Sequence, residues 1–246
     1  MLGLPPQVTA CLFDLDGVLT QTALVHNAAW KQTFDAFLET WSAQHGQEFV
    51  PFDSGADYHQ YVDGRPRADG VRTFLASRGI TLPEGSPEDG PNQLTVNGIG
   101  NKKNELVLQK IRDGHVKVYD GSVEYLKAAQ AAGLRRAVVS ASANCKDVLE
   151  AAGIADLLEV RVDGIVAREQ NLPGKPAPDT FLYAAKLLGL PPENCAVYED
   201  ALAGVAAGHA GRFGITIGVD RVGQSQALLE NGADIVVTDL SELLTR

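Results

Sequence analysis

The sequence predicts a doubly wound α/β fold, a parallel sheet covered by helices, with a separate helical segment inserted after the first strand. Three observations predict it. From Val116 onward, short apolar β-rich runs alternate with amphipathic stretches; several of those stretches stop at a glycine; and between about Thr22 and about Gly114 the alternation gives way to helical patterns alone.

The predicted strands are residues 136–140 (RAVVS), 195–198 (CAVY), 213–217 (FGITI) and 235–237 (IVV), with 8–13 as an isolated earlier one. Between them, helices are expected over 123–132, 146–152, 179–188, 201–210 and 224–230, and Gly133, Gly153, Gly189, Gly211 and Gly232 stand where a helix C-cap favours glycine. The inserted segment reads as helical over 22–44, 71–77 and 101–112, with the polar loop PEGSPEDGPNQ between. The expected division is therefore a core made of residues 1–21 and 115–246, and a helical domain over 22–114.

A chain of 246 residues with 45% hydrophobic content can fill a sizeable core. Its net charge of −10 opposes general affinity for nucleic acid or anionic membrane, since both need a basic face. Cys11, Cys145 and Cys195 are odd in number, widely spaced and set mostly among apolar neighbours, so they read as buried thiols of a reducing compartment. The first residues lack the basic and cleavage regions of a signal peptide, and no apolar stretch reaches the roughly 18 residues a membrane helix needs. A cytoplasmic location is expected.

The strongest chemical signal is FDLDGVLT, Phe13 to Thr20, directly after an apolar strand. In a parallel sheet this is the carboxyl edge, where α/β folds place their sites. Alternation sets Asp14 and Asp16 on one side while Phe13 and Leu15 face the core, and Gly17 permits a sharp turn. Two carboxylates that converge so closely imply a divalent metal or a division of acid and base roles. On the pair alone, a turn-capping Asp pair is the alternative.

This run resembles the first motif of the haloacid dehalogenase (HAD) superfamily of phosphoryl-transfer enzymes, whose core is Rossmann-like and carries an inserted helical cap. The later motifs follow in order: Ser140 at the end of RAVVS, Lys175 in GKPAPDTF, and Glu199-Asp200 in VYEDALAG. The resemblance implies that Asp14 is the nucleophile and Asp16 the proton shuttle, and that Ser140 and Lys175 bind the transferring phosphoryl group. It further implies Mg²⁺ held by Asp14, the backbone carbonyl of Asp16, Glu199 and Asp200.

From Leu12 to Val237 the chain resembles the β-phosphoglucomutase family in particular. Thr22, His26 and Trp30 keep that family's register after the first motif; DGRPR supplies Gly64 and Arg67, Lys103-Asn104 match a pair in the cap, and VVSASAN matches the phosphate loop. The resemblance implies substrate contacts from Thr22, His26, Gly64, Arg67, Lys103, Ala141, Ser142, Ala143 and Asn144; Arg65, absent from the family pattern, is expected to join them through its charge. Arg65 and Arg67, with Arg72 nearby, read as an anion site in an acidic protein. Asp63 and Ala143 stand where the best-known pattern has lysines, Ala201 replaces a hydroxyl residue, and Arg65 could restore one lost charge. The implied reaction interconverts β-glucose 1-phosphate and glucose 6-phosphate through an aspartyl-phosphate enzyme and glucose 1,6-bisphosphate, in a monomer whose partners are small sugar phosphates. A sugar-phosphate phosphatase of the same superfamily is the alternative. A non-catalytic sugar-phosphate sensor is a third reading.

Overall fold

The computed structural model describes residues 2–114 and 116–245, so the expected segment ends at positions 1, 115 and 246 lie outside the described residues. The chain divides into two compact units, one of residues 1–22 with 116–246 and one of residues 23–115.

The first unit is built on a parallel sheet of six strands: β1 (Ala10–Phe13), β2 (Arg135–Val139), β3 (Val160–Val162), β4 (Cys195–Glu199), β5 (Ile215–Val219) and β6 (Ile235–Val237). Their spatial order is β3-β2-β1-β4-β5-β6. Ala10 pairs with Arg135 on one side and Cys195 on the other, so β1 is central. All four β1 residues are fully buried, which suits a strand covered on both faces and explains its unbroken apolar run. The strand order reverses between β1 and β4, and a doubly wound sheet opens its binding crevice at the carboxyl ends of such a pair.

The helices of this unit are α4 (Asp120–Ala131), α5 (Cys145–Ala152), α6 (Gly164–Glu169), α7 (Asp179–Leu188), α8 (Leu202–Ala210) and α9 (Ser225–Glu230). Phe181, Ala184 and Leu188 of α7 pack on Leu12, Val139 and Val197 in one buried cluster. Gly153 and Gly189 cap α5 and α7 in the left-handed region, at φ 67° and 73°. Gly211 does not follow the expectation: its φ is −76°, and the left-handed turn falls on Arg212 at φ 54°. Glycine is needed there for space, because a Cβ at 211 would lie 2.4 Å from the Phe213 ring. Phe213 itself lies outside β5, which begins at Ile215.

The second unit is helical, with α1 (Thr22–His45, whose first residue belongs to the other unit), α2 (Arg67–Ser77), α3 (Val96–Arg112) and a π turn over Tyr58–Val62. Its core is aromatic. Phe34 stacks on Trp30 at 4.8 Å and meets Phe74 at 4.2 Å and Phe52 at 5.2 Å. Both α2 and α3 start earlier than expected, α3 at Val96 instead of 101, because the Thr95 hydroxyl caps it by accepting from the Gly98 amide at 2.9 Å.

The polar stretch 83–93 is pinned to α3. The Asn97 side chain donates to the Glu84 carbonyl at 3.0 Å, and that of Asn101 donates to the carbonyls of Pro87 and Asp89 at 3.0 and 2.8 Å. Gly98 permits this approach, since a Cβ there would lie 2.3 Å from the Gln93 carbonyl oxygen. Cys11, Cys145 and Cys195 are free and buried, and among the described residues no helix is long and apolar enough to cross a membrane.

Candidate active site

β1 delivers Asp14 to the carboxyl edge of the sheet. Its amide donates to the Tyr198 carbonyl at 2.9 Å, extending the ladder to β4 by one residue, and its side chain is buried. The chain then turns at Gly17, where two demands coincide: φ is +97°, and a Cβ would lie 1.7 Å from Asp200 Oδ2. The turn closes through the Gly17 amide on the Thr20 carbonyl at 2.7 Å and the Thr20 amide on the Leu15 carbonyl at 2.9 Å. Asp16 lies within it. The Thr22 hydroxyl donates to Asp16 Oδ1, Ser140 Oγ donates to Oδ2 at 3.4 Å, and the Thr20 and Thr22 hydroxyls are 2.6 Å apart.

β4 ends on Glu199, which is fully buried, followed by the buried Asp200. The glycine of EDALAG has a reason in the geometry. A Cβ at Gly204 would lie 1.9 Å from Glu199 Oε1, so α8 can pass the carboxylate only without a side chain there. Asp14, Glu199 and Asp200 each offer a carboxylate oxygen, and these lie within 4.8 Å of one another.

Lys175 meets this cluster. Its Nζ lies 2.5 Å from Asp14 Oδ1, pairs with Glu199 Oε1, and donates to the Val139 carbonyl at 3.1 Å, all while 3% exposed. Burial alone would lower the Lys175 pKa, but Asp14 and Glu199 outweigh it and raise the value, so the ammonium stays charged. Burial pushes the Asp14 carboxyl well up; the Lys175 charge opposes this, while Glu199 and Asp16 add to it. Three buried carboxylates thus face one ammonium. One ammonium does not offset them, as the raised Asp14 pKa shows, and this shortage of positive charge together with the all-oxygen donor set fits a hard divalent cation such as Mg²⁺.

After β2, Ser140 is held by its amide on the Val162 carbonyl at 3.0 Å. Its hydroxyl accepts from the Ser142 amide at 3.1 Å, and the Ser142 hydroxyl accepts from the Asn144 amide at 3.1 Å, which coils residues 140–144 into α5. Ala141, Ser142 and Ala143 are partly exposed, and Asn144 is buried. Gly164 lets α6 approach this loop, since a Cβ there would lie 2.7 Å from the Ala141 carbonyl oxygen. The first unit therefore carries two contact groups, Asp16 with Thr22 and Ser140, and Lys175 with Asp14 and Glu199, and Asp200 has a carboxylate oxygen within 4.8 Å of those of Asp14 and Glu199.

His26, Gly64, Arg65, Arg67 and Lys103 belong to the helical unit. Lys103 is buried, with its Nζ 2.8 Å from His26 Nδ1 and 4.8 Å from the centre of the Trp30 ring. Gly64 turns the chain at φ 69° before Arg65 and Arg67. Arg67 opens α2, and its aliphatic stem runs against Gly100, where a Cβ would lie 3.2 Å from Arg67 Cγ. Asp63 faces His59 Nδ1 at 3.1 Å. The expectation for Arg72 is corrected. Its guanidinium is bidentate on Glu84 at 2.8 and 2.9 Å and also binds Asp69, so it fastens the 83–93 segment instead of offering a free charge to an anion.

Residues 8–212 match the model of a family described as haloacid dehalogenase-like hydrolase. The chain belongs to that family. Within the haloacid dehalogenase-like proteins it is 55% identical to a β-phosphoglucomutase of Mycobacterium bovis, over 99% of this chain and 94% of that protein. It is 30% identical to the β-phosphoglucomutase of Bacillus subtilis over 95% of this chain and 91% of that one. A crystal structure of β-phosphoglucomutase from Clostridium difficile superposes with a TM-score of 0.75 at 25% identity, covering 96% of this chain and 93% of that one.

Two residues of this haloacid dehalogenase-like site carry signals that a motif reading left unused. Gly204 sits inside EDALAG, and its role follows only once Glu199 is seen against α8. Thr20, fully buried, closes the Gly17 turn and bonds Thr22; its type was legible, but not its partners.

Proposed function

We propose that this chain is a Mg²⁺-dependent β-phosphoglucomutase, interconverting β-D-glucose 1-phosphate and D-glucose 6-phosphate through a phosphorylated Asp14 and glucose 1,6-bisphosphate. The observation that carries the phosphoryl-transfer reading is the convergence of Asp14, Glu199 and Asp200 on one point, with Lys175 on Asp14 and Glu199. The 55% identity to the mycobacterial β-phosphoglucomutase supports the choice of reaction.

In this reading a carboxylate oxygen of Asp14 attacks phosphorus, the bond from phosphorus to the leaving oxygen breaks, and Asp16 gives that oxygen its proton. In the return half, Asp16 takes the proton of a sugar hydroxyl whose oxygen attacks the phosphorus on Asp14, the bond from phosphorus to the Asp14 oxygen breaks, and the Asp14 carboxylate is released. The Thr22 hydroxyl and Ser140 Oγ orient the Asp16 carboxyl for both tasks. Lys175 and Ser140 hold the transferring oxygens, in keeping with the reliance of phosphoryl transfer on positioning and charge. Asp14, Asp200, Glu199 and the Asp16 carbonyl would hold Mg²⁺, which when bound supplies positive charge against the phosphoryl oxygens. The helical unit acts as the cap, with Arg67 gripping the phosphate that is not reacting and Arg65, His26 and Lys103 completing the sugar contacts.

A coupled assay with β-glucose 1-phosphate and trace glucose 1,6-bisphosphate, run beside the α-anomer, tests this. Glucose 6-phosphate from the β-anomer is expected; its absence sinks the mutase reading. The presence of Asp63 and Ala143 in place of two lysines favours a second reading, sugar-phosphate hydrolysis, because it removes charge from the distal phosphate. Inorganic phosphate released in step with substrate loss, without glucose 6-phosphate, would establish it.

A further inference from the structure

The loop after β5 touches both loops that carry the acidic cluster, and none of its residues belongs to a recognised motif. Arg221 reaches one side. Its Nε donates to the Gly17 carbonyl at 2.9 Å and its Nη2 to the Val18 carbonyl at 3.4 Å, so it grips the turn that directly follows Asp14 and Asp16. Gln224 reaches the other side, its Nε2 donating to the backbone carbonyl of Asp200 at 3.0 Å.

Both residues are fixed from behind. The Arg221 guanidinium lies 3.5 Å over the centre of the Tyr119 ring, and its Nη1 donates to the Thr238 carbonyl at 2.7 Å and meets Asp239 at 3.3 Å. Nη2 also reaches Ser122 Oγ at 3.4 Å, and that hydroxyl donates to the Val18 carbonyl at 2.7 Å. Asp220 shapes the loop itself. Its Oδ1 accepts the amides of Val222, Gly223 and Gln224 at 3.1, 2.7 and 2.9 Å, and its Oδ2 accepts the Ser225 hydroxyl.

We infer that Arg221 and Gln224 are positioning residues that set the spacing between the Asp14–Gly17 turn and Asp200, and thereby the affinity of the site for its divalent cation. The need for such a device is visible at Gly17, where Asp200 Oδ2 already fills the space of a Cβ: the two loops meet without slack. A turn free to recede would separate Asp14 and the Asp16 carbonyl from Asp200. Arg221 holds the turn by its carbonyls, and Gln224 holds the Asp200 backbone from the same loop. The inference rests on the proposed Mg²⁺ site.

The test is Mn²⁺ binding to the full chain, followed by electron paramagnetic resonance, with Mg²⁺-dependent turnover measured beside it. Arg221→Met and Gln224→Ala are each expected to weaken Mn²⁺ binding by about 10-fold or more, the scale of lost support behind metal ligands. Turnover should need correspondingly more Mg²⁺ but return to within about twofold of wild type at saturation, with Arg221→Lys intermediate, since a lysine keeps charge without the fork. Arg136→Met serves as the control. That buried arginine braces the amino edge of β2 on the Leu157 carbonyl at 2.8 Å, so its loss should lower Tm without moving Mn²⁺ affinity. Unchanged Mn²⁺ affinity in both Arg221→Met and Gln224→Ala, with wild type binding normally, overturns this inference alone; if Arg221→Met does not fold, Gln224→Ala decides. A wild-type chain that binds no Mn²⁺ overturns the metal reading and this inference together.

Discussion

Lys175 and Asp14 form a buried ion pair, Nζ to Oδ1 at 2.5 Å, drawn from segments 161 residues apart in sequence. Removing one partner of such a pair leaves an uncompensated charge and costs about 3–5 kcal/mol. Lys175→Met is therefore expected to destabilise the metal-free chain on that scale in urea unfolding, and to abolish turnover. Stability within about 1 kcal/mol of wild type, inside the range of exposed pairs, would show that the pair is not felt by the fold.

Asp14→Asn should remove turnover and covalent phosphate, since the amide fills nearly the same space but cannot be the nucleophile. Circular dichroism is expected to remain that of wild type. Activity above roughly a hundredth of wild type would exclude Asp14 from the role.

Gly204→Ala sets two rules against each other. Helix propensity alone favours alanine by about 1 kcal/mol within α8, yet the new Cβ would meet the Glu199 carboxylate at 1.9 Å. The contact should win, giving a lower Tm and a higher Mg²⁺ concentration for half-maximal activity. A rise in Tm with unchanged metal response would mean that the carboxylate yields freely.

Arg67→Ala should lower mutase kcat/KM by about 10–100-fold, as expected for loss of a bidentate charge-assisted pair. Slow hydrolysis of acetyl phosphate should stay nearly unchanged, because that molecule offers no second phosphate. An equal fall in both activities would make Arg67 a structural residue.

Asp220 gives a pH dependence with a definite sign. Partial burial raises its pKa, but the Ser225 hydroxyl and the amides of Gln224, Val222 and Gly223 outweigh this and leave it lowered. Its stabilisation is therefore present above the unfolded value of about 3.9 and is lost as pH falls through the lower folded value. Asp220→Asn should cost about 1.5–3 kcal/mol at pH 7, the scale of hydrogen bonds to a charged group, and less near pH 3. Equal losses at both pH values in denaturant unfolding would contradict it.

What the sequence made legible was whatever sits in one short run. Asp14, Asp16 and Gly17 announce themselves because β1 is a continuous apolar run that ends on them. β3 shows no pattern because three residues, one of them the exposed Arg161 that pairs with the buried Asp163, are too few to carry one. β5 was displaced because Phe213 reads as a strand residue, whereas its ring packs on Phe181 at 6.0 Å outside the ladder. The early start of α3 was hidden by Gly98 and Gly100, whose low helix propensity is offset by what they let approach, the Gln93 carbonyl and Arg67. Arg221 had no local signal at all, since its meaning lies in carbonyls some two hundred positions away.

The central place of β1 sets a timetable for synthesis. Ala10 leaves the ribosome 125 residues ahead of its partner Arg135 and 185 ahead of Cys195. At about 5–20 residues per second, the strand waits roughly 6–25 s for β2 alone. During that interval the helical unit, whose contacts close within one continuous stretch of chain, can assemble by itself. The apolar segment ACLF meanwhile has no sheet to enter. A nascent chain of this protein thus carries a fully buried strand without partners until β2 emerges.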